Sequence, residues 1–424
     1  MAARIIAEDD IMTTHHLALA GIIAIAGMTA GVTGQSGGRD WPQWRGPNRD
    51  GTLTAYSEPK AWPDRLTRRW KVEVGTGYAT PIVVGTRVFA FSRQDENEVM
   101  RAIDADTGKI VWETSYPAPF KMNPATARHG PGPKSTPTYA NGRLFTLGIS
   151  GIVTAFDAAT GKTLWQKPAP PVEPLFHTAQ SAVVDRGVVI LHVGGHKQGA
   201  LTAFDPATGA VKWSWDGDGP AYGSPIVAEI AGTRQVITFS QENLVGVDAS
   251  NGKLLWKTPF TARSTTNSIT PLVYGANTVI VSGQGKPLTA YTISKQNDQW
   301  SADVAWENDK LSLSFSNAVL VGDAVFSMSA MNSGQFFWVD AKTGKTLWTS
   351  NPRQAGNAAI VHAGNLLFVL KDDAELMVAR SSPGGFEPVK TYTVADSATW
   401  PAPSISGNRI FVKDISTVAL WTID

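Results

Sequence analysis

The chain has 424 residues, with 37 Lys+Arg against 36 Asp+Glu and 17% charged residues overall. That balance supplies no broad cationic field for nucleic acid or an anionic membrane surface. Low charge with 42% hydrophobic residues excludes a disordered chain, and the absence of cysteine excludes disulfides, thiol catalysis, Cys-ligated zinc, iron–sulfur clusters and attached c-type haem.

Leu17 to Val32 form a 16-residue apolar run followed by the small polar stretch Thr33 to Gly38. The run is short for a bilayer span and suits the core of a signal peptide. Its flank is acidic at Glu8, Asp9 and Asp10, residues that vanish if translation starts at Met12 rather than Met1. Residues 1–38 are therefore expected to be a leader, signal peptide or disordered, and the protein to be exported to the periplasm or beyond the cell. With no cysteine after the run, it is not expected to become a lipoprotein. No transmembrane span is expected beyond this leader.

From Trp70 onward the chain repeats itself. Five segments align without gaps, from Asp104 to Trp112, Asp157 to Trp165, Asp205 to Trp213, Asp248 to Trp256 and Asp340 to Trp348. In each, Asp precedes Trp by eight residues with a Thr-Gly or Asn-Gly pair between them. The first four aspartates are 53, 48 and 43 residues apart, the length of one propeller blade. Weaker copies begin at Leu288, ending near Trp300 or Trp306, and at Leu376, where Tyr392 is expected to stand in for Trp. An eighth begins at Val418 and lacks its last strand, which Leu66 to Val72 can supply.

Each unit reads as four short strands rich in β-branched residues and punctuated by Gly or Asn-Gly. One such sheet cannot bury both faces, whereas eight around an axis can, and pairing the last with an N-terminal strand removes the open seam. The fold expected is all-β: an eight-bladed β-propeller of four-stranded antiparallel blades, spanning 39–424 and closed by an N-terminal strand. The repeated Asp, Gly and Trp read as framework. Gly supplies a positive φ, Asp and Thr satisfy loop N–H groups, and Trp wedges between blades.

The repeated AxDxxTGKxxW segment resembles that of the pyrroloquinoline-quinone (PQQ) propeller repeat superfamily, which includes quinoprotein alcohol dehydrogenases, the outer-membrane assembly scaffold BamB and many exported repeat proteins. Trp41 to Gly51 (WPQWRGPNRDG) resembles the segment that opens many of the last group. Together the resemblance covers residues 41–424. It implies the fold strongly and the function weakly, since one fold hosts unrelated activities. In the quinoprotein dehydrogenases the resemblance implies a quinone stacked on Trp near the axis and Ca²⁺ held by Glu, Asn and Asp. The alcohol-oxidising branch also uses a disulfide of adjacent cysteines, which this chain cannot make. No Asp or Glu here matches the family's base or metal ligands.

The remaining candidates carry little chemistry. His192 and His196 lie on a strand and hairpin, where their spacing sets them about 13 Å apart rather than on one metal. Asp95 to Glu98 and Lys371 to Glu375 read as solvated hairpin tips, and Pro168 to Pro174 as a stiff loop between blades. No catalytic residue and no metal ligand is assigned. What varies from blade to blade is the rim of the axial funnel. Aligning the Thr-Pro strand starts gives Tyr78, Lys134, Thr178, Tyr222, Ser268, Phe315, Gly356 and Trp400, with Arg128, His129, His177, Asn267 and Asn317 nearby. Tyr78, Arg128, His129, Lys134, His177, Tyr222, Asn267, Asn317 and Trp400 are the candidate ligand contacts.

The leading expectation is thus a non-enzymatic binding or assembly platform, a monomeric ring engaging an envelope protein or a small ligand at its rim and needing no cofactor. The alternative is a PQQ-dependent oxidoreductase with PQQ and Ca²⁺ in the funnel. A hydrolase or lyase on the rim has no positive support.

Overall fold

In the computed structural model, residues 40–424 are described; the expected leader lies outside them. Eight blades follow one another along the chain, each of four antiparallel strands, and the seventh is extended by the short strand Thr52–Leu53, which pairs in parallel with Ala358–Ala363. The first blade shows the pattern: Ile82–Val84, Arg87–Gln94, Asn97–Asp104 and Ile110–Pro117, paired in sequence order. The eighth comprises Ser404–Ser406, Arg409–Lys413 and Thr417–Thr422, and takes its fourth strand from Thr67–Glu73. The ring closes as the unpartnered strand around Trp70 predicts. At the inner end of the same seam the Ser404 hydroxyl donates to the Pro81 carbonyl.

Hydrophobic burial falls between blades rather than within them, because each flat sheet has two apolar faces to cover. Phe89 and Met100 of the first blade pack with Leu144 and Phe156 of the second. The largest cluster joins the seventh, eighth and first blades with Trp41, Leu53 and Leu66.

The repeat motif is the lock between neighbours. Asp104 Oδ1 accepts from Thr107 N at 3.0 Å and from its hydroxyl at 2.8 Å, shaping the turn. The indole Nε1 of Trp70, Trp112, Trp165, Trp213 and Trp306 each donates to the carbonyl of the residue after the repeat Asp in the next blade, at 3.0–3.2 Å. Against the face of each of these indoles sits the next blade's turn glycine. At Gly161, φ is +76° and an added Cβ would lie 2.4 Å from Trp112 Cε3.

At the degenerate copies part of this lock is lost, and the register decides between the two Trp alternatives of the fifth blade and corrects the reading of Tyr392 in the seventh. Trp306, not Trp300, occupies the fifth blade's framework position, paired with Ala290; Trp300 pairs with Lys295 near the hairpin tip. In the seventh blade Lys390 pairs with Val378 at the Trp register, and Tyr392 falls two residues later, donating to the Pro63 carbonyl at 2.8 Å. Among the described residues no carbonyl is seen to accept from Trp348, which faces that blade's lost Asp turn; facing the fifth blade's, Trp256 turns back to Gln235 Oε1 of its own sheet at 2.7 Å. Nor is Glu98 a solvated tip residue: it is fully buried, accepting from Ile149 N at 2.5 Å and Tyr116 Oη at 2.8 Å.

Candidate functional site: a one-mouthed axial cavity

The innermost strands converge on the axis, and residues just before them are stitched into a girdle. Thr80 N donates to Thr136 Oγ1, Thr136 N to Ser181 Oγ, Ser181 N to Ser224 Oγ and Thr270 N to Asn317 Oδ1, at 2.7–3.2 Å. Small hydroxyls fit here because eight strands crowd one axis, and each one answers an N–H that has no strand partner.

One end of the axis is closed by the segment 41–51. Its Trp41 pairs with Val83 of the first blade, and Pro42 O accepts from Tyr139 N of the second. Arg49, 5% exposed, donates to Ser181 O and Ala182 O of the third blade and Pro225 O of the fourth. Trp44 Nε1 reaches Thr270 Oγ1 of the fifth at 2.9 Å, Arg45 donates to Ala318 O of the sixth, and Gly51 O accepts from His362 N of the seventh. One eleven-residue stretch therefore ties seven blades together. Burial pulls the Arg49 guanidinium down to about 9, which leaves it charged at neutral pH. Both arginines adopt positive φ, near 60°, held by these contacts.

What is left is a cavity of about 360 Å³, open at one mouth, with Trp44 in its lining. Seven of the nine candidates line it: Tyr78, Arg128, His129, Lys134, Tyr222, Asn317 and Trp400. The connection between the first and second blades carries Arg128 and His129 on a short 3₁₀ turn, Pro124–His129, capped by Asn123. His129 stands edge-on to Trp400 of the eighth-blade connection, centroids 4.6 Å apart, and to Phe315 of the sixth at 6.2 Å. The Arg128 guanidinium lies 5.7 Å over the Trp400 ring and donates to His129 Nε2 at 3.1 Å. That bond requires a neutral imidazole, and burial, with Arg128 and Lys134 nearby, holds His129 down at about 4. Lys134 Nζ is buried without a hydrogen-bond partner, and desolvation lowers it to about 8. Tyr222 Oη accepts from Phe176 N at 3.1 Å, and burial raises its pKa to about 12.

The other two candidates are set apart. Asn267 is fully buried and acts as a staple: its Nδ2 donates to the carbonyls of Phe260, Ser240 and Gln241, and its Oδ1 accepts from Ala262 N. His177 packs edge-on against Phe120 at 4.8 Å and accepts from Asn123 N, positioning the 3₁₀ turn from behind. Nor do His192 and His196 meet. The first bonds the Asp218 carbonyl at 2.8 Å and the second the Gln241 side chain at 2.8 Å.

Aligning strand starts missed Trp44 and Gln284. Trp44 comes from the closing segment, whose motif was visible without its destination, and Gln284 from a hairpin between the fifth blade's second and third strands. Asn357 and Ser224 were within reach of the alignment, one and two residues beyond the positions chosen.

The lining holds two cations, His129, amides, hydroxyls and six aromatic rings, and no Asp or Glu. Among the described residues no group of three His, Cys, Asp or Glu converges as for a metal ion. The Ca²⁺ that accompanies PQQ in the dehydrogenase branch needs oxygen ligands with carboxylate charge, and this donor set does not fit it.

Fold and cavity define a closed eight-bladed propeller with an axial pocket of cationic and aromatic lining. The chain belongs to the PQQ-like repeat family whose model is described as outer membrane protein assembly factor BamB, which matches residues 49–214 and 95–332. It is 24% identical over 370 residues to the outer membrane protein assembly factor BamB of Yersinia pestis, covering 82% of this chain and 86% of that one. It is 32% identical over 148 residues to the dehydrogenase subunit of an alcohol dehydrogenase (quinone) of Acetobacter aceti, covering 32% of this chain but only 19% of the subunit. Among solved structures it resembles BamB from Moraxella catarrhalis, with a TM-score of 0.61 at 16% identity, over 84% of this chain and 99% of that one.

Proposed function

We propose that this protein is a non-enzymatic platform of the cell envelope, exported by its leader and serving the assembly of outer membrane proteins. The observation that carries the reading is the axial cavity without a carboxylate. A quinoprotein oxidoreductase requires a general base and a metal-holding set beside its quinone, and here the corresponding lining offers amides, hydroxyls and cations. Similarity to assembly factors along most of both chains supports the same reading, while the sequence match to the dehydrogenase subunit covers only 19% of its length. A propeller engages protein partners through loops at its rim or through a blade edge, and neither needs a cofactor.

The test has two arms. Purified protein incubated with PQQ and Ca²⁺ is assayed for dye reduction with alcohols and aldoses, where no turnover above the protein-free control is expected. In a host with an outer membrane, loss of the gene should lower the amount of folded outer membrane proteins, restored by the wild-type chain. Robust turnover, or unaltered outer membrane protein levels, overturns the proposal.

A further inference from the structure

A carboxyl group lies in the seam between the first two blades, where neither the repeat framework nor the cavity uses its charge. Glu98 is fully buried, and its Oε1 accepts from Ile149 N at 2.5 Å, in the hairpin tip 148–151 of the second blade. Gly148 leaves the room for it, since an added Cβ there would lie 2.0 Å from Glu98 Oε2. Oε2 accepts from Tyr116 Oη at 2.8 Å. Arg93 and Tyr116 are the direct cross-strand partners of Glu98 in its own blade, and Glu96 stands exposed at the tip of the same hairpin. From the second blade, besides Ile149 N, come the hydroxyls of Thr146 and Thr154, which flank Tyr116 Oη. Opposite residues of a strand pair hold their Cβ atoms about 4.5–5.5 Å apart, so the Arg93 guanidinium can reach Glu98. It is turned elsewhere: it donates to Ala118 O at 2.8 Å, pairs with Glu96 at 3.0 Å and lies 4.8 Å over the Phe120 ring.

Phe120 links this seam to the connection between the blades. Its ring meets His177 edge-on, centroids 4.8 Å apart. His177 accepts from Asn123 N at 3.2 Å, and Asn123 caps the 3₁₀ turn that carries Arg128 and His129. The tip that Glu98 holds reaches the same place, because Ile149 O accepts from Thr178 N at 3.2 Å. A neutral Glu98 is content with this arrangement: protonated Oε2 donates to Tyr116 Oη, which passes its own hydrogen to Thr146 or Thr154. An ionised carboxylate left without a cation in a dry seam is costly, and Arg93 is the cation whose charge already acts on it. We propose that Glu98 is a proton-operated latch on the connection between the first and second blades. Neutral, it leaves Arg93 on Phe120 and the turn 124–129 held by His177; ionised, it draws Arg93 off Phe120 and releases the turn. Arg93, with two alternative partners, is the two-position element that such coupling needs. Burial raises the Glu98 carboxyl to about 7, and capture of Arg93 pulls it part of the way back, so the latch works in mildly acidic to neutral water. His177 and His129 titrate lower, at about 4, and Lys134, whose charge acts on His177, higher, at about 8. The latch rests on the seam and not on the platform reading, and its failure leaves that reading untouched.

In the full chain, 4-fluorophenylalanine placed at Phe120 reads the cation over the ring by fluorine NMR. Hydrogen exchange, corrected for the intrinsic effect of pH, reads the turn. Between about pH 5 and about pH 8.5 the fluorine resonance should move in one step, and exchange across 123–130 should quicken by about fivefold or more with it. Glu98→Gln keeps the shape but cannot ionise, and should hold both readouts at their acidic values throughout. Arg93→Met should leave the turn quick to exchange at both ends of the range, whereas Glu96→Gln should keep the step. A flat fluorine signal in the wild-type chain overturns the proposal, as does a step that survives Glu98→Gln or vanishes in Glu96→Gln. So does a step without faster exchange at 123–130, or a turn that stays slow in Arg93→Met.

Discussion

Replacing Gly161 by Ala, with Gly142→Ala as its partner, isolates the lock between blades. Both glycines have φ near +76°, so both substitutions carry the same left-handed penalty of about 1–2 kcal/mol. At Gly142 an added Cβ meets nothing within 4 Å, and the penalty is the whole cost. At Gly161 the same atom lies 2.4 Å from Trp112 Cε3, 2.7 Å from Cδ2 and 2.8 Å from Thr114 Oγ1. Carbon atoms rest about 3.5–4.0 Å apart, so the indole has to retreat by more than 1 Å. Overpacking of that kind costs about 1–3 kcal/mol, and withdrawal of the indole from the Ala158 carbonyl, 3.2 Å away, adds about 1 kcal/mol. Gly161→Ala should therefore be about 2–4 kcal/mol worse than Gly142→Ala. Urea unfolding of the two variants gives the difference, and hydrogen exchange should show the added loss at the seam between the first and second blades. Equal destabilisation, within about 0.5 kcal/mol, would refute the role given to the Trp–Gly contact.

Burial raises Glu98 from its ordinary 4.5 to about 7, against the favourable bonds from Ile149 N and Tyr116 and the charge of Arg93. The folded protein thus binds this proton more tightly than the unfolded chain. The stability it contributes is complete below pH 4.5 and is lost as pH climbs to about 7, roughly 3 kcal/mol in all. Glu98→Gln should remove that loss, so its stability relative to wild type should rise by about 3 kcal/mol between pH 4.5 and 8; parallel urea midpoints across the range would contradict this. Arg49→Met should leave the carbonyls of Ser181, Ala182 and Pro225 without their donor, costing about 3 kcal/mol and loosening the closing segment. Mass analysis after limited trypsin digestion should then show new cleavage at Arg45, and an unchanged digest would remove Arg49 from its sealing role.

The framework was legible because it repeats. A fixed eight-residue step from Asp to Trp, seen five times, gave the blade unit, and the unpaired strand at Trp70 gave the closure. Where the repeat decays the pattern loses its grip: Tyr392 looked like the missing Trp, but the register assigns that place to Lys390. Local polarity misled at Glu98, which follows Asp95 and Glu96 in a tip yet points into the seam because strand alternation turns its side chain inward. The rim was legible as a location, and seven of nine named residues meet in the cavity. Asn267 shares the rim's sequence position but spends its amide on three carbonyls, a competition among polar partners that spacing does not record. Trp44 lay beyond reach, since its position depends on a segment threading the axis.

Eightfold repetition by itself would build a symmetric pore, with the same side chain eight times around it and no preference for how a guest sits. This ring departs from that at two levels. Six residues of the segment 41–51 bond seven blades, each in a different way, so it closes one end only because the blades are no longer identical there. At the other end equivalent strand starts contribute Tyr78, Lys134, Tyr222 and Trp400, while Asn317 precedes the blade opposite the one that Lys134 precedes. Charge is concentrated near the first and second blades, with amides across the axis, and the pocket acquires a polarity that the fold does not impose. Stability depends on what the blades share, whereas recognition depends on where they differ. Substitutions at Asp104 or Gly161 should therefore change how firmly the ring holds together, and those at Lys134 or Arg128 what the ring holds.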